Sequence, residues 1–218
     1  MGITTRIGAL AAETGALLLA ASCAGCEHPG TVLCDSCLGA LAPVPREVRT
    51  TDGLRVRAAL VLDGPAASCI RRLKGAGQTV LARPLGAALA AVLLPALVPG
   101  AWVIPVPTSR AAFRRRGYRV AELVAARAGL VPERLLRAAS PAADQRGLGR
   151  AERARNVADT MRSRGAAGRR ILLVDDVVTT GATLTEAARA LRADGAEVIA
   201  AATIAATARH GIVTAVRT

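Results

Sequence analysis

Two adjacent carboxylates, Asp175 and Asp176, follow an apolar run and precede a stretch of hydroxyls and glycine. The apolar run predicts a buried strand over residues 171 to 175, and residues 184 to 192 have the pattern of a helix. In parallel sheets, ligands bind at the carboxyl ends of the strands, and the amides at a helix N-terminus favour phosphate. Carboxylates beside a phosphate repel it unless they accept hydrogen bonds from sugar hydroxyls or face a metal. The segment therefore predicts a ribose 5-phosphate site, with the ribose hydroxyls on Asp175 and Asp176.

The phosphate is expected in the loop that joins this strand to this helix. Gly181 would let the backbone approach the ligand, and the threonines would add hydroxyl donors. The predicted phosphate-binding residues are Val177, Val178, Thr179, Thr180, Gly181, Ala182 and Thr183.

Four of the five cysteines form two Cys-x2-Cys pairs within fifteen residues, at Cys23, Cys26, Cys34 and Cys37. Each pair can supply two thiolates, and two pairs complete a tetrahedral site for one Zn²⁺. A redox pair, disulfides or free thiols remain as alternatives. Four thiolates leave no open coordination position, so the predicted role of the zinc is structural.

Strands alternate with helices along the chain, which predicts an α/β fold with a parallel sheet between helices. Strands are predicted at residues 56 to 62, 102 to 106, 171 to 175 and 198 to 204. Helices are predicted at residues 5 to 21, 65 to 74, 80 to 94, 122 to 128 and 184 to 192. Pro43 and Pro45 suggest a boundary, with an N-terminal helix and zinc knuckle over 1–45 and the main domain over 46–218.

The net charge of +13 favours anionic partners such as nucleotides, phosphates or nucleic acid. However, 28 of the 29 basic residues are arginine, as expected from GC-rich codon usage, and this reduces the weight of the charge as evidence. The three aromatic residues, Trp102, Phe113 and Tyr118, are too few for an RNA-binding sheet built on stacked rings.

Residues 84 to 109 carry no charge, but four prolines break their second half, so no membrane span is predicted. The N-terminal run to Ala21 is interrupted by Glu13 and does not fit a signal sequence. We expect the protein to be cytoplasmic.

All thirteen positions of the 171–183 segment resemble the PRPP-binding signature of type I phosphoribosyltransferases. The order of motifs along the whole chain resembles the ComF family of competence-associated, phosphoribosyltransferase-like proteins. The motifs that carry this resemblance are the four-cysteine knuckle, Arg-Leu-Lys-Gly at 72–75, Ile-Pro-Val-Pro at 104–107, Arg-Arg-Arg-Gly-Tyr at 114–118, and Gln145-x2-Leu148-x4-Arg153-x2-Asn156.

The resemblance implies a type I phosphoribosyltransferase fold with an N-terminal zinc module. It also implies that Lys74, the only lysine, and Gly75 contact the pyrophosphate of PRPP, as in the Leu-Lys-Gly loops of other type I enzymes. Residues 145 to 156 correspond to a mobile loop that closes over PRPP, in which Arg153 matches the family pattern. Mg²⁺ is expected with PRPP. Alternatively, Lys74 is an ordinary lysine at the end of a helix, and Arg153 is an ordinary residue of a surface helix.

Arg114, Arg115 and Arg116, flanked by Phe113 and Tyr118, form the densest basic patch. They could bind pyrophosphate or hold single-stranded DNA with the two rings stacked on bases, or they could form a solvated loop. Three functions stay open. The first is a phosphoribosyltransferase with an unknown acceptor, in which Asp175, Asp176, Lys74 and Arg153 act in catalysis. The second is a non-catalytic PRPP sensor or single-stranded-DNA-binding component of DNA uptake or recombination. The third is a zinc-knuckle adaptor. The oligomeric state is not legible from the sequence.

Overall fold

The computed structural model describes residues 21–138 and 160–208, and the backbone of residues 214 and 215. The strands are β1 (Arg46–Arg49), β2 (Arg55–Val61), β3 (Trp102–Pro105), β4 (Leu136–Ala138), β5 (Met161–Ser163), β6 (Arg170–Val178), β7 (Glu197–Ala206) and β8 (Thr214–Ala215). The α-helices are α1 (Asp35–Gly39), α2 (Gly64–Gly75), α3 (Ala82–Leu93), α4 (Arg110–Arg116), α5 (Val120–Arg127) and α6 (Ala182–Ala193). Short 3₁₀ turns, Thr79–Leu81 and Leu94–Ala96, flank α3.

Six strands form the central sheet in the order β3-β6-β7-β2-β1-β8. Neighbours from β3 to β2 are parallel, and β1 is antiparallel to both β2 and β8. β4 and β5 form a separate antiparallel pair. The parallel part brings the carboxyl ends of β2, β3, β6 and β7 to one edge of the sheet.

Apolar side chains cover both faces of the sheet because β6 and β7 alternate between two cores. Leu172 and Val174 pack with Leu85 and Leu89 of α3, in the core that also contains α2 and α5. On the other face, Ile171 and Leu173 pack with α6. Helices α3 and α5 approach closely at Gly86, where a Cβ would lie 2.6 Å from Cβ of Arg127.

The predicted strand–helix–strand unit is present as β6, α6 and β7, with β6 and β7 parallel. Its first strand continues through Val178, so Val177 and Val178 lie in the strand and not in the loop. The strand extends this far because β7 still pairs with it, with Val178 opposite Ala206. The basic patch at 114–116 is the last turn of helix α4 and is not a loop.

The strand β1 was not predicted from the sequence. It has four residues and pairs with β2 through a tight turn over residues 50 to 54. Of the predicted helix at residues 5 to 21, only Ala21 is described and it is not helical; the other residues of that prediction lie outside the described residues.

One helical stretch in the described part of the chain, Thr79–Ala96, is long and apolar enough to cross a membrane by length and composition. Core helices of soluble proteins pass the same test. Here Leu85, Leu89 and Leu93 are fully buried against the sheet.

Candidate functional site

The two carboxylates predicted to bind ribose, Asp175 and Asp176, lie in the second half of β6, three and two residues before the strand ends at Val178. Leu172 and Val174 face the core that contains α2, and Ile171 and Leu173 face α6, so alternation places Asp176 on the α2 side and Asp175 on the α6 side. Asp175 accepts a hydrogen bond from the Asp176 amide at 2.8 Å. Burial and the charge of Asp176 raise the pKa of Asp175 to about 7, although this amide and the Lys74 ammonium oppose the rise. Asp175 can therefore change its protonation state near neutral pH.

Lys74 reaches the carboxylates although it is 102 residues away from Asp176 in the sequence. Its Nζ lies 2.8 Å from Oδ1 of Asp176, in an ion pair whose side chains are 33% and 19% exposed. The ion pair places the C-terminal turn of α2, which carries Lys74, beside the carboxyl-terminal part of β6. The structure therefore brings Lys74 and the acidic pair together.

Gly75 and its loop do not approach the carboxylates in the same way. Gly75 is exposed, and a Cβ at Gly75 or Gly77 would meet nothing within 4 Å. β2 is separated from β6 by β7, whereas the direct neighbour of β6 on its other side is β3. The loop after β3 therefore begins at the strand next to β6, whereas Gly75 reaches the carboxylates through its neighbour Lys74.

Tyr118 holds the end of α2 in place. Its hydroxyl donates a short hydrogen bond to the carbonyl of Leu73, the residue before Lys74. The last carbonyls of a helix have no partner within the helix, so this bond satisfies one of them and fixes the backbone that carries the lysine.

The predicted phosphate loop joins β6 to the N-terminus of α6. Gly181 is the N-cap of α6 and has a φ of +76°, in the left-handed region that favours glycine. Among the described residues, the amides of Thr180, Gly181 and Thr183 have no hydrogen-bond acceptor, and Ala182 N donates only to Thr180 Oγ1 at 3.3 Å. Thr179 and Thr180 are exposed. The loop thus presents donors at a helix N-terminus, as a phosphate site requires.

A cavity of about 350 Å³ opens at the end of β3, between α4, α5 and β4. Four arginines and one carboxylate line it: Arg110, Arg119, Arg134, Arg137 and Glu122. Glu122 accepts two hydrogen bonds from Arg134, at 2.9 and 2.7 Å, and lies 3.6 Å from Arg119. Pro105 in its wall pairs with Val174, the residue before Asp175. The cavity is therefore lined mostly by cationic side chains and lies at the end of the strand next to β6.

The basic patch differs from the expectation of two free aromatic rings. Arg114 and Arg115 are exposed, but Arg116 is half-buried and its Nε is fully enclosed. The Arg119 guanidinium covers one face of Phe113, 4.2 Å from the ring centroid. Tyr118 is fixed by its hydrogen bond to Leu73. Neither ring is free on both faces to stack between bases.

The four cysteines of the knuckle come together as predicted. Their sulfurs all lie within 4.8 Å of one another, with Cys34 Sγ 3.6 Å from Cys23 Sγ and 3.7 Å from Cys26 Sγ. Tetrahedral Zn–S bonds of about 2.3 Å would separate two sulfurs by about 3.8 Å, so the cluster fits one metal ion. All five cysteines are free thiols, and Cys69 is buried in the core. The cluster could hold a metal ion.

The cysteine segment packs on α2. Ala24 and Leu41 belong to the same core cluster as Leu73, and Arg72 lies 3.1 Å from a carboxylate oxygen of Glu27. Residues 21–45 thus share a core with α2 and the central sheet.

Some predicted site residues lie outside the described residues, and the sequence did not indicate two residues that contact the phosphate loop and α6. Arg153 and the rest of 145–156 belong to the first group. Thr50 and Asp52, in the turn between β1 and β2, contact Gly181 and Thr185 of the phosphate loop and α6. The Asp-Gly pair at 52–53 is a turn signal that predicts a hairpin, but it does not reveal which helix the turn meets.

Comparison with known families agrees with this geometry. Residues 112–213 match the family model of the phosphoribosyl transferase domain. The matched region contains β6, the phosphate loop and α6. No match was found among the curated proteins. The protein thus contains a phosphoribosyl transferase domain in an α/β fold with a mostly parallel sheet, and it carries an N-terminal four-cysteine cluster. The expected fold class is confirmed.

Proposed function

We propose that this protein binds PRPP and transfers its phosphoribosyl group to an acceptor, with displacement of pyrophosphate. The observation that carries the proposal is the arrangement of β6, its loop and α6 within the matched domain. There, two carboxylates near the end of a strand are followed by loop amides that have no hydrogen-bond acceptor in the described part of the chain. The order of motifs along the chain supports a ComF-like protein.

In the proposed complex, the 5-phosphate of PRPP accepts hydrogen bonds from the amides and hydroxyls of residues 179 to 183. The ribose hydroxyls donate to Asp175 and Asp176. This fixes C1 at the sheet edge, so that the acceptor and the leaving group are held in line, which lowers the barrier by orientation.

The reaction breaks the bond between C1 and pyrophosphate and forms a bond from C1 to the acceptor nucleophile. The leaving group gains negative charge as the bond breaks. Lys74 and the arginines of the cavity after β3 supply positive charge there, which stabilises a transition state of this kind. Because β3 is the direct neighbour of β6, we assign the pyrophosphate to this cavity and to Lys74, and not to the Gly75 loop. Arg153 remains a candidate for closing over the substrate.

Mg²⁺ would be held by the carboxylate pair and the substrate's own oxygens, which are the hard ligands it prefers, and would neutralise pyrophosphate charge. Asp176 must then exchange its contact with Lys74 for the ligand. We assign Zn²⁺ in a structural role to the four cysteines. Clustered free thiols suit a reducing compartment, which supports a cytoplasmic location.

The test is to replace Asp176 by Asn and titrate with PRPP and with inorganic phosphate. Loss of charged hydrogen bonds should lower PRPP affinity by about tenfold to a hundredfold. Inorganic phosphate should bind as before or slightly better, since a negative charge is gone and Lys74 is released. Asp63→Asn, an exposed carboxylate at the N-cap of α2, is the matched control and should change neither affinity.

If Asp176→Asn weakens PRPP and phosphate equally, the ribose does not lie on this carboxylate. Pyrophosphate release from PRPP with candidate acceptors then tests whether the protein is an enzyme. No release with any acceptor, together with intact PRPP binding, would leave a PRPP sensor as the function.

A second candidate is binding of single-stranded DNA, in the context of DNA uptake or recombination. The exposed Arg114 and Arg115 on α4 favour it. Replacing both with Ala should reduce the salt slope of oligonucleotide affinity by about 1.4, since each phosphate contact on a single strand contributes about 0.7. Arg71→Ala with Arg83→Ala, two other exposed arginines, is the control. Equal slopes in the two double variants would indicate only a diffuse charge effect.

A further inference from the structure

The turn between β1 and β2, over residues 50 to 54, is held by internal hydrogen bonds and lies outside the matched domain. Gly53 N donates to the Thr50 carbonyl at 2.9 Å, and Thr50 N donates to the Leu54 carbonyl at 3.1 Å. Thr50 Oγ1 also accepts from Leu54 N at 3.0 Å, and the residue is only 6% exposed. A turn with this many internal bonds can hold a neighbouring element in one position.

That neighbouring element is α6, the helix that begins at the phosphate loop. Oδ1 of Asp52 accepts a hydrogen bond from Thr185 Oγ1 at 2.9 Å, and it also accepts from Thr50 Oγ1. Oδ2 of Asp52 accepts from the Arg192 guanidinium at 2.8 Å. The Asp52 carboxylate therefore joins the turn to α6 at two positions, Thr185 near its start and Arg192 near its end. Although burial opposes it, these hydrogen bonds hold the pKa of Asp52 below its usual range.

The phosphate loop itself rests on the same turn. An ideal Cβ on Gly181 would lie 2.7 Å from Cγ2 of Thr50, so the loop backbone is in direct contact with this methyl group. The carbonyl of Gly181 accepts from Thr185 N at 2.9 Å, and Thr185 is the residue whose side chain Asp52 holds. Thr50 thus supports Gly181 directly through its methyl group. Asp52 supports Gly181 indirectly, through Thr185 in the first turn of α6.

We propose that Thr50 and Asp52 are positioning residues for the 5-phosphate site, and that the β1–β2 turn keeps the 179–183 loop in its phosphate-binding conformation. This inference rests on the proposed function. The amides of Thr180, Gly181 and Thr183 can bind a phosphate tightly only if the loop backbone is already fixed. The reason is that ordering a loop on binding lowers affinity. The fixing contacts come from a part of the chain that the matched domain does not include.

The experiment measures binding of inorganic phosphate and ribose 5-phosphate by calorimetry to the full-length protein. Asp52→Ala removes both halves of the contact, and Thr185→Val removes only the half at Oδ1. Each should weaken both ligands by about fivefold to twentyfold, as expected for loss of one or two hydrogen bonds that order the site. Glu47→Ala, which removes an exposed ion pair with Arg49 on the same hairpin, should change affinity less than about twofold.

A conservative variant separates positioning from general stability. Asp52→Asn keeps a carbonyl oxygen for Thr185 but loses the ion pair with Arg192, and it should recover most of the phosphate affinity. All titrations are made well below the thermal midpoint of every variant. Unchanged affinity in Asp52→Ala, or equal losses in Asp52→Ala and Glu47→Ala, would overturn the positioning role. Absence of phosphate and ribose 5-phosphate binding in the wild type would instead overturn the proposed function on which it rests.

Discussion

The glycine at the start of α6 allows a sharp test of how the phosphate loop is built. Gly181→Ala adds one methyl group with two separate consequences. The φ of +76° is left-handed, and a side chain there costs about 1–2 kcal/mol. The new Cβ would also lie 2.7 Å from Cγ2 of Thr50, and overpacking of this kind costs about 1–3 kcal/mol. We expect a total loss of about 2–5 kcal/mol in the free energy of unfolding, a large part of the 5–15 kcal/mol that is typical of a domain.

The assay is urea denaturation, in which the midpoint falls while the slope stays unchanged. Gly165→Ala is the matched control because Gly165 has a φ of +81° and open space around its Cβ, so it should show the strain alone. Thr50→Ser removes the opposing methyl group. In the Thr50→Ser background, Gly181→Ala should therefore cost about as much as Gly165→Ala.

Two outcomes would refute this reasoning. Equal losses for Gly181→Ala and Gly165→Ala would mean that the loop does not rest on Thr50. Strict additivity of Gly181→Ala and Thr50→Ser would mean the same, since residues in contact are expected to show coupling.

Two more predictions concern the cysteines and the acidic pair. The protein purified without added metal should contain one zinc per chain by elemental analysis. Cys23→Ser should release the zinc and lower the urea midpoint, because the neighbouring Ala24 packs in the main core. A zinc content far below one per chain, with four titratable thiols, would contradict the assignment. Asp175 has a pKa raised from 3.8 to about 7, so the folded state favours its neutral form. The contribution of Asp175 to stability is present below about pH 4 and is lost as the pH rises through 7. The free energy of unfolding of the wild type should therefore fall by roughly 1–4 kcal/mol relative to that of Asp175→Asn over this range. A constant difference between pH 4 and pH 8 would show that the pKa of this carboxyl is not raised.

The strand–helix–strand unit around Asp175 could be predicted from the sequence because its signals are local. An apolar run, a glycine at the helix start and Gly195 after its end lie within about 35 residues of each other, as expected of such a unit. The two Cys-x2-Cys pairs were equally local, and their sulfurs meet as the spacing predicts.

The parts that the sequence did not predict depend on long-range contacts. Which strand lies next to β6 is decided by packing of whole helices, so no local pattern predicts the cationic cavity after β3. The hydrogen bond between Asp52 and Thr185 of α6 joins residues that are 133 apart in the chain, and no local sequence pattern predicts such a contact. Lys74 was foreseen only through the family resemblance.

The strand order has a consequence for any attempt to isolate the matched domain. A protein that began at residue 112 would lack β1, β2 and β3, which leaves β6 paired only with β7 among the parallel strands. Two-stranded sheets are marginal in water, and the Ala- and Val-rich strands would expose unpaired backbone on both sides, as edges that attract other chains. We expect such a fragment to self-associate. We therefore expect the smallest unit that folds on its own to include β2 and β3 in addition to the region matched by the family model.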